Sequence, residues 1–323
     1  MRTASIKSLK TLDTLGVVSI NSKSYVKTLL SNLSEGRVSV PLRSAEDMER
    51  LDATGTNKII KPESDSGWLD QPYTSHGGDT AAHISFTSGT EGAAKAVLLS
   101  HGNLHAVVEQ LIDVMEIDGG IREYIGVPVY HSFGYGRART VLHAGGDGFV
   151  PAGGFNLAEI QKMLKAGEIN AISAVPSLWR IFLSHRDMFG AELDMVRWVE
   201  IGSQYMSGAE KAALRAALPN AKIVQHYGLT EASRTTFLRV HSEAETVLES
   251  VGRPEGKTQV RFNSEGLIEI CGPNVALGIQ TKNEFIALGK GAWLETSDQG
   301  RIENGYLYYD GRADDMINCG GIK

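Results

Sequence analysis

Short apolar runs alternate with amphipathic helical stretches from about Val17 to residue 232 of this 323-residue chain. VVSI, YVKTLLSNL and VSVPL read as strand, helix and strand. Leu104, Val107, Val108, Leu111, Ile112 and Met115 recur at helical spacing behind Ser100 or Asn103 as a cap. IGVPV reads as a strand. Asn156, with Glu159 three residues on and Gly167 as the stop, brackets a second helix, and AISAV at 171–175 is a short buried strand. Ser207 and Glu210 form a capping box for KAALRAAL, which ends at Pro219, and KIVQHYG follows as strand and turn. This alternation predicts an α/β fold with a mostly parallel sheet. From Thr246 onward the segments are short strands punctuated by Gly, Pro and Asn, which predicts a β-rich subdomain. Asp52 to Asp79 reads as a connection with little regular structure.

Within this frame one segment carries chemistry. ISFTSGTEGAAKAVLLS, residues 84–100, has an apolar lead-in followed by hydroxyls, glycines and one lysine. Thr87, Ser88 and Thr90 offer hydroxyl and backbone donors, and Gly89 and Gly92 let the backbone approach an anion closely. Lys95 adds a mobile cation. Several N–H donors and a cation suit a polyphosphate whose charge moves during reaction. The Walker pattern is absent, because Lys95 leads into an apolar run suited to a strand rather than opening a helix. A solvated Gly/Ser/Thr hairpin is the plainer alternative.

TSGTEGAAKAV resembles the signature loop of the adenylate-forming superfamily, the acyl- and aryl-CoA synthetases, luciferases and peptide-synthetase adenylation domains, with Ala94 where proline is usual. YGLTEAS at 227–233 is similar to the YGxTE motif of that family. Taken alone it is an ordinary strand-to-helix turn with a capping Thr. In the resemblance, Tyr227 stacks on a base, Gly228 allows the turn, Thr230 meets the α-phosphate, and Glu231 binds magnesium, since a bare carboxylate beside a triphosphate needs a hard cation between them. Thr90 is the second residue implied at the metal. WLETSDQGRIENGYLYYDGRADDMI resembles a third family segment, with Ser297 in place of glycine. It implies Asp298 on the ribose hydroxyls, Arg312 near ribose and phosphate, and Asp314 as the hinge. VPVYHSFGYG resembles the segment that places a histidine, here His131, beside the carboxylate of the acid. An Asp that would pair with an α-ammonium is missing from HSFGYG, so the implied acid lacks an α-amino group. Gly202, Ser203 and Gln204 fall where the family loop runs along adenine and acyl group. Trp179, Tyr135 and Met206 are either acyl-pocket walls or core.

The resemblance implies a fold of α/β subdomains with mostly parallel sheets plus a distorted β-barrel. Residues 1–232 would form the α/β core, 233–311 a β-rich subdomain of the same large domain, and 312–323 a hinge stub. It implies ATP-dependent activation of a carboxylic acid with ATP/AMP and Mg2+ as cofactors, His131, Thr230 and Glu231 as catalytic residues, and thiol transfer to CoA or an acyl carrier protein. A non-catalytic nucleotide- or acyl-binding protein is the alternative. The family's C-terminal lid domain, with its adenylation lysine, is not in this sequence, which stops at Lys323; slow or absent adenylation is the expectation for it. With 32 basic and 38 acidic residues, a net charge of −6 argues against nucleic acid or an anionic membrane as main partner. Cys271 and Cys319 offer neither a disulfide framework nor metal-ligand spacing. With no apolar run of spanning length, a cytoplasmic location is expected.

Overall fold

The structure is a computed structural model and describes residues 6–63, 68, 78–87 and 94–313. Its first layer begins with β1 (Thr14–Val18), α1 (Lys23–Ser34) and β2 (Val38–Leu42). The expected helix starts after Ser22, whose hydroxyl accepts from the Tyr25 amide at 3.1 Å. The stretch after residue 46 is more ordered than its composition indicates. It holds α2 (Met48–Thr54), closed by Gly55 in a left-handed conformation at φ 69°, and β3 (Ile59–Ile60).

β4 (Ala81–Thr87) and β5 (Lys95–Ser100) are antiparallel partners, and α3 (His101–Met115) follows at once. Its N-terminus is a reciprocal box: the Ser100 hydroxyl accepts from Asn103 N and the Asn103 side chain accepts from Ser100 N. β6 (Arg122–Ile125) meets the expected strand IGVPV only at Ile125: the strand lies earlier, and the chain leaves the sheet before Pro128, which has no N–H for a ladder. Then come α4 (Ser132–His143), β7 (Asp147–Phe149), α5 (Leu157–Lys165), β8 (Ala171–Ala174), α6 (Pro176–Ser184), β9 (Trp198–Ile201), α7 (Gly208–Ala217) and β10 (Lys222–Tyr227).

The later strands are divided among three sheets. β11 (Thr236–Arg239) pairs antiparallel with β10, and β12 (Arg253–Pro254) antiparallel with β11, extending the second sheet. β13 (Gln259–Phe262), β14 (Leu267–Cys271), β17 (Leu294–Glu303) and β18 (Tyr306–Arg312) form a four-stranded antiparallel sheet. β15 (Gly278–Gln280) and β16 (Phe285–Ala287) return to the first sheet beside β5. Residue 232 is therefore not a boundary between sheets: a hairpin carries the chain straight back along β10, and β15 covers the exposed edge of β5.

The first sheet runs β16-β15-β5-β4-β2-β1-β3 and the second β12-β11-β10-β9-β8-β6-β7. From β7 to β10 every pairing in the second sheet is parallel. α3 and α4 lie between the sheets. Leu104, Phe133 and Tyr135 pack with Val97 and Leu99 of the first, whereas Val107, Leu111 and Val141 pack with Trp198 and Val224 of the second. α5, α6 and α7 cover the far face of the second sheet around Trp179 and Leu214. Among the described residues no helix is long and apolar enough to cross a membrane.

Candidate active site

Parallel strands all end on one side, and the loops that follow them share one edge, where α/β sheets characteristically form ligand clefts. At that edge of the second sheet, β6 leads to His131, β8 to the N-terminus of α6, β9 to Gly202–Ser203–Gln204, and β10 to Tyr227–Gly228 and the Thr230–Glu231 turn. Residues separated by about a hundred positions are thus gathered by topology alone.

The turn after β10 is tightly specified. Leu229 and Ala232 exchange backbone hydrogen bonds at 3.1 and 3.2 Å, holding Thr230 and Glu231 at its tip, and Thr235 N returns to Tyr227 O at 2.7 Å. A Cβ on Gly228 would lie 2.4 Å from Arg234 N, so only glycine permits this closure. The Glu231 carbonyl accepts from Ala276 N at 2.9 Å, which fixes the turn to the segment entering β15. Thr230 and Glu231 therefore stand on a hydrogen-bonded hairpin rather than at a helix start.

Gly202 is dictated by its neighbour. A Cβ there would sit 2.1 Å from the His226 ring. Ser203 follows at φ 73°, a left-handed backbone that non-glycine residues seldom adopt. Gln204 accepts from Ser177 N at 3.0 Å, tying this loop to the first turn of α6. Its Nε2 is buried with no partner among the described residues, a donor available to a ligand.

The four-stranded sheet reaches the same edge through Tyr227. Its hydroxyl donates to Asp298 Oδ2 at 2.7 Å, and Arg312, opposite Asp298 in the β17–β18 ladder, lies 4.0 Å from Oδ1. Burial first, then the Asp298 charge, pushes the Tyr227 phenol well above its ordinary value, so it remains a donor. Asp298 is 4% exposed and takes Thr296 Oγ1 on its own amide at 3.1 Å.

His131 is the N-cap residue of α4 without a side-chain cap bond. Desolvation of its partly covered ring, then the charge of Arg50, lowers its pKa, leaving a neutral imidazole at neutral pH. Thr87 and Lys95 face each other across the end rung of the β4–β5 hairpin. Ser88, Gly89, Thr90 and Gly92 lie outside the described residues, as does Asp314.

A family model described as AMP-binding enzyme matches residues 11–278. The chain belongs to the AMP-binding enzyme family. Among relatives of this family, a 3-[(3aS,4S,7aS)-7a-methyl-1,5-dioxo-octahydro-1H-inden-4-yl]propanoyl:CoA ligase of Rhodococcus jostii is 27% identical over 248 residues, 76% of this chain and 48% of the relative. A feruloyl-CoA synthase from an Amycolatopsis species is 23% identical, covering 94% of this chain and 65% of its own length. The chain thus spans about half the length of the first and under two thirds of the second. ATP-bound MatB from Rhodopseudomonas palustris superposes with a TM-score of 0.76 at 20% identity, covering 98% of this chain and 71% of that one. The mixed α/β sheets and the antiparallel β-rich sheet are the large-domain fold of adenylate-forming enzymes, as the sequence motifs implied.

Trp179, Tyr135 and Met206, read as pocket walls or core, are all buried. Trp179 and Met206 are fully buried in the core outside the second sheet, and Tyr135 is buried between the sheets. They are core in two separate clusters. Glu200, Arg137 and Arg234 escaped the motif reading, although Glu200 stands two residues before Gly202 and Arg234 directly follows YGLTEAS; for Glu200 a charge inside a buried strand was the available signal.

Proposed function

We propose that this chain forms the nucleotide- and acid-binding side of an ATP-dependent acid:CoA ligase. The carrying observation is the junction at which the Thr230–Glu231 turn, the Gly202–Gln204 loop and the Tyr227–Asp298 pair meet at one sheet edge. The naming of relatives as CoA ligases supports the same reading.

In this reading a substrate carboxylate attacks the α-phosphorus of ATP, the bond to the β-phosphate oxygen breaks, and pyrophosphate leaves. The thiol of CoA then displaces AMP from the acyl-adenylate and gives a thioester. Nothing in the first step asks for a protein nucleophile; it asks for charge neutralisation and in-line placement. Thr87, Ser88, Thr90 and Lys95, with the Gly89 and Gly92 backbone, hold the β- and γ-phosphates. Thr230 donates to the α-phosphate. Asp298 accepts from the ribose hydroxyls, which requires that Oδ2 share or release the Tyr227 hydroxyl. The Tyr227 ring and the Gly202–Ser203–Gln204 loop enclose the base, and the buried Gln204 amide donates toward it. Arg312 lies beside the ribose and Asp314 marks the hinge. His131, neutral at the start of α4, flanks the acid carboxylate without burying a second charge beside it.

Magnesium fits this donor set. Among the described residues no ion pair engages the Glu231 carboxylate and no cluster of three metal-ligating side chains exists. One protein carboxylate with phosphate oxygens and water is what this ion commonly takes. When bound it would supply neutralisation of phosphate charge, with Glu231 and Thr90 as its protein ligands.

Titration calorimetry of the chain with AMP tests the nucleotide part, with one site expected and weakened binding for Asp298→Ala. No heat of binding from AMP or ATP would overturn the reading. Acid-dependent pyrophosphate exchange, screened across carboxylic acids, tests the activation step.

A further inference from the structure

Beneath the loops of the candidate site, two carboxylates and two guanidiniums are enclosed in the protein. Glu123 of β6, Arg137 of α4, Glu200 of β9 and Arg234, which closes the turn after β10, are each 1% exposed. Arg137 donates from Nε to Glu123 Oε1 at 2.9 Å and reaches Glu200 Oε2 with Nη1 at 3.2 Å. Arg234 donates from Nε to Glu200 Oε1 at 2.9 Å and from Nη2 to Oε2 at 3.4 Å. His226 Nδ1 lies 2.6 Å from the same Oε1, off the direction of a linear hydrogen bond. With His226 neutral the formal charges cancel, which is the condition for keeping four ions out of water.

The placement of the partners goes beyond cohesion. Glu200 stands two residues before Gly202, and His226 immediately precedes Tyr227. Arg234 ends the turn that carries Thr230 and Glu231. Its Nη2 also donates to Phe133 O at 3.2 Å, two residues beyond His131. The guanidinium lies where a Cβ on Gly136 would fall 2.4 Å from Nη1, so α4 is built to admit it. Arg234 adopts φ 54°, a conformation that costs a non-glycine residue energy and persists because its contacts demand it. Glu123 has none of these links: among the described residues its side chain is held by Arg137 alone, and it lies two residues before Ile125, which is level with Glu200 in the parallel ladder.

We propose that Glu200 is a positioning residue, which through Arg234 and His226 holds the start of α4, the 202–206 loop and the 228–234 turn in the single arrangement that binds nucleotide. This rests on the site assignment above. Glu200 touches no ligand in it and acts only through these partners.

Because Glu123 and Glu200 share Arg137, they make a matched pair. Hydrogen exchange would be followed by mass spectrometry in Glu200→Gln, Glu123→Gln and Arg234→Lys, together with AMP affinity and melting temperature. Glu200→Gln should speed exchange in 202–206 and 228–234 by about tenfold or more and weaken AMP by a similar factor. Glu123→Gln should lower the melting temperature comparably while leaving exchange in those segments and AMP affinity within about twofold. Arg234→Lys keeps the charge but not the fork, and should reproduce the loosening of 228–234 even where Glu200→Gln fails to fold. Equal loosening by the Glu123 and Glu200 variants, or none by either Glu200→Gln or Arg234→Lys, overturns the proposal. An unaltered chain that binds no AMP overturns the site assignment instead, and the exchange pattern still decides whether Glu200 positions these loops.

Discussion

Two histidines pack against aromatic residues in the first turns of α4, one from each sheet. His83 of β4 lies 5.1 Å from the Tyr135 ring and His226 of β10 lies 4.9 Å from the Phe133 ring. They are 3% and 8% exposed, so burial alone does not distinguish them. Their neighbours do. Around His83 are Ser85, Asn103, Ser132 and Asn274, and its Nδ1 has no hydrogen-bond partner among the described residues. Burial, then the Arg139 charge, drops its pKa to about 3. At His226, burial also lowers the pKa, but the Glu200 charge opposes the shift while Arg234 and Arg137 reinforce it. One site excludes a proton by having nothing to stabilise it, and the other balances a proton against a network already neutral without it. Desolvation sets the direction at both sites, and the arrangement of nearby charges decides how much of the protein depends on it.

The hardest way to break this contrast is to remove the carboxylate. Burial would raise the Glu200 pKa, but the Arg234 charge, with that of Arg137, outweighs it and holds the group ionised well below the ordinary carboxylate range. Glu200→Ala leaves two buried guanidiniums with one carboxylate between them, and chemical denaturation should show a loss of about 3–5 kcal/mol. A loss no larger than that of an exposed pair such as Arg197–Asp118 would mean that the network contributes packing and not charge.

A smaller effect is expected from crowding His226 while leaving the charges in place. Gly202→Ala puts a methyl group against the imidazole, and either the ring or the 202–206 loop must move. The expected cost is roughly 1–3 kcal/mol. In the His226→Ala background the same change should cost much less, because the obstructing ring is gone, and unfolding of all four proteins measures that coupling. Additive losses would show that Gly202 is needed for its own backbone and not for the histidine.

How much of this could be read from the residues follows the same division. The capping box at Ser207 stands where the sequence places it, and of the two caps offered for α3 Ser100 is the one used, because a cap is a local pattern. α4 and α6 were not legible as helices. α4 carries Gly134 and Gly136, poor helix formers that make room for Pro128 O and the Arg234 guanidinium, so a long-range contact erased a local signal. The division of residues 233–311 among three sheets was hidden for a related reason, since strand pairing is decided by which edges remain open. In the site, TSGTEGAAK and YGLTE were legible as strings. Glu200 was not, because no local pattern says that a carboxylate in a buried strand has two arginines and a histidine brought to it from α4, β10 and the turn beyond.

The finest separation of the two histidines comes from pH. The unfolded chain takes up a proton on each histidine near pH 6.5. Folded His83 does so only near pH 3, so between those values the unfolded state binds the extra proton. Stability from this group is complete above pH 6.5, declines as pH falls below it, and is exhausted near the folded pKa. At pH 5.5, one unit into the window, the loss attributable to His83 is roughly 1 kcal/mol. Unfolding free energies at pH 7.5 and 5.5 should therefore differ less in His83→Gln than in the unaltered chain by that amount. Each protein serves as its own reference, so any constant cost of the substitution cancels. His226→Gln should flatten the same interval less, because Glu200 opposes the shift that burial imposes on His226. Equal flattening by the two variants would show that Glu200 does not lift the folded His226 pKa into this interval, and would remove the electrostatic half of the contrast.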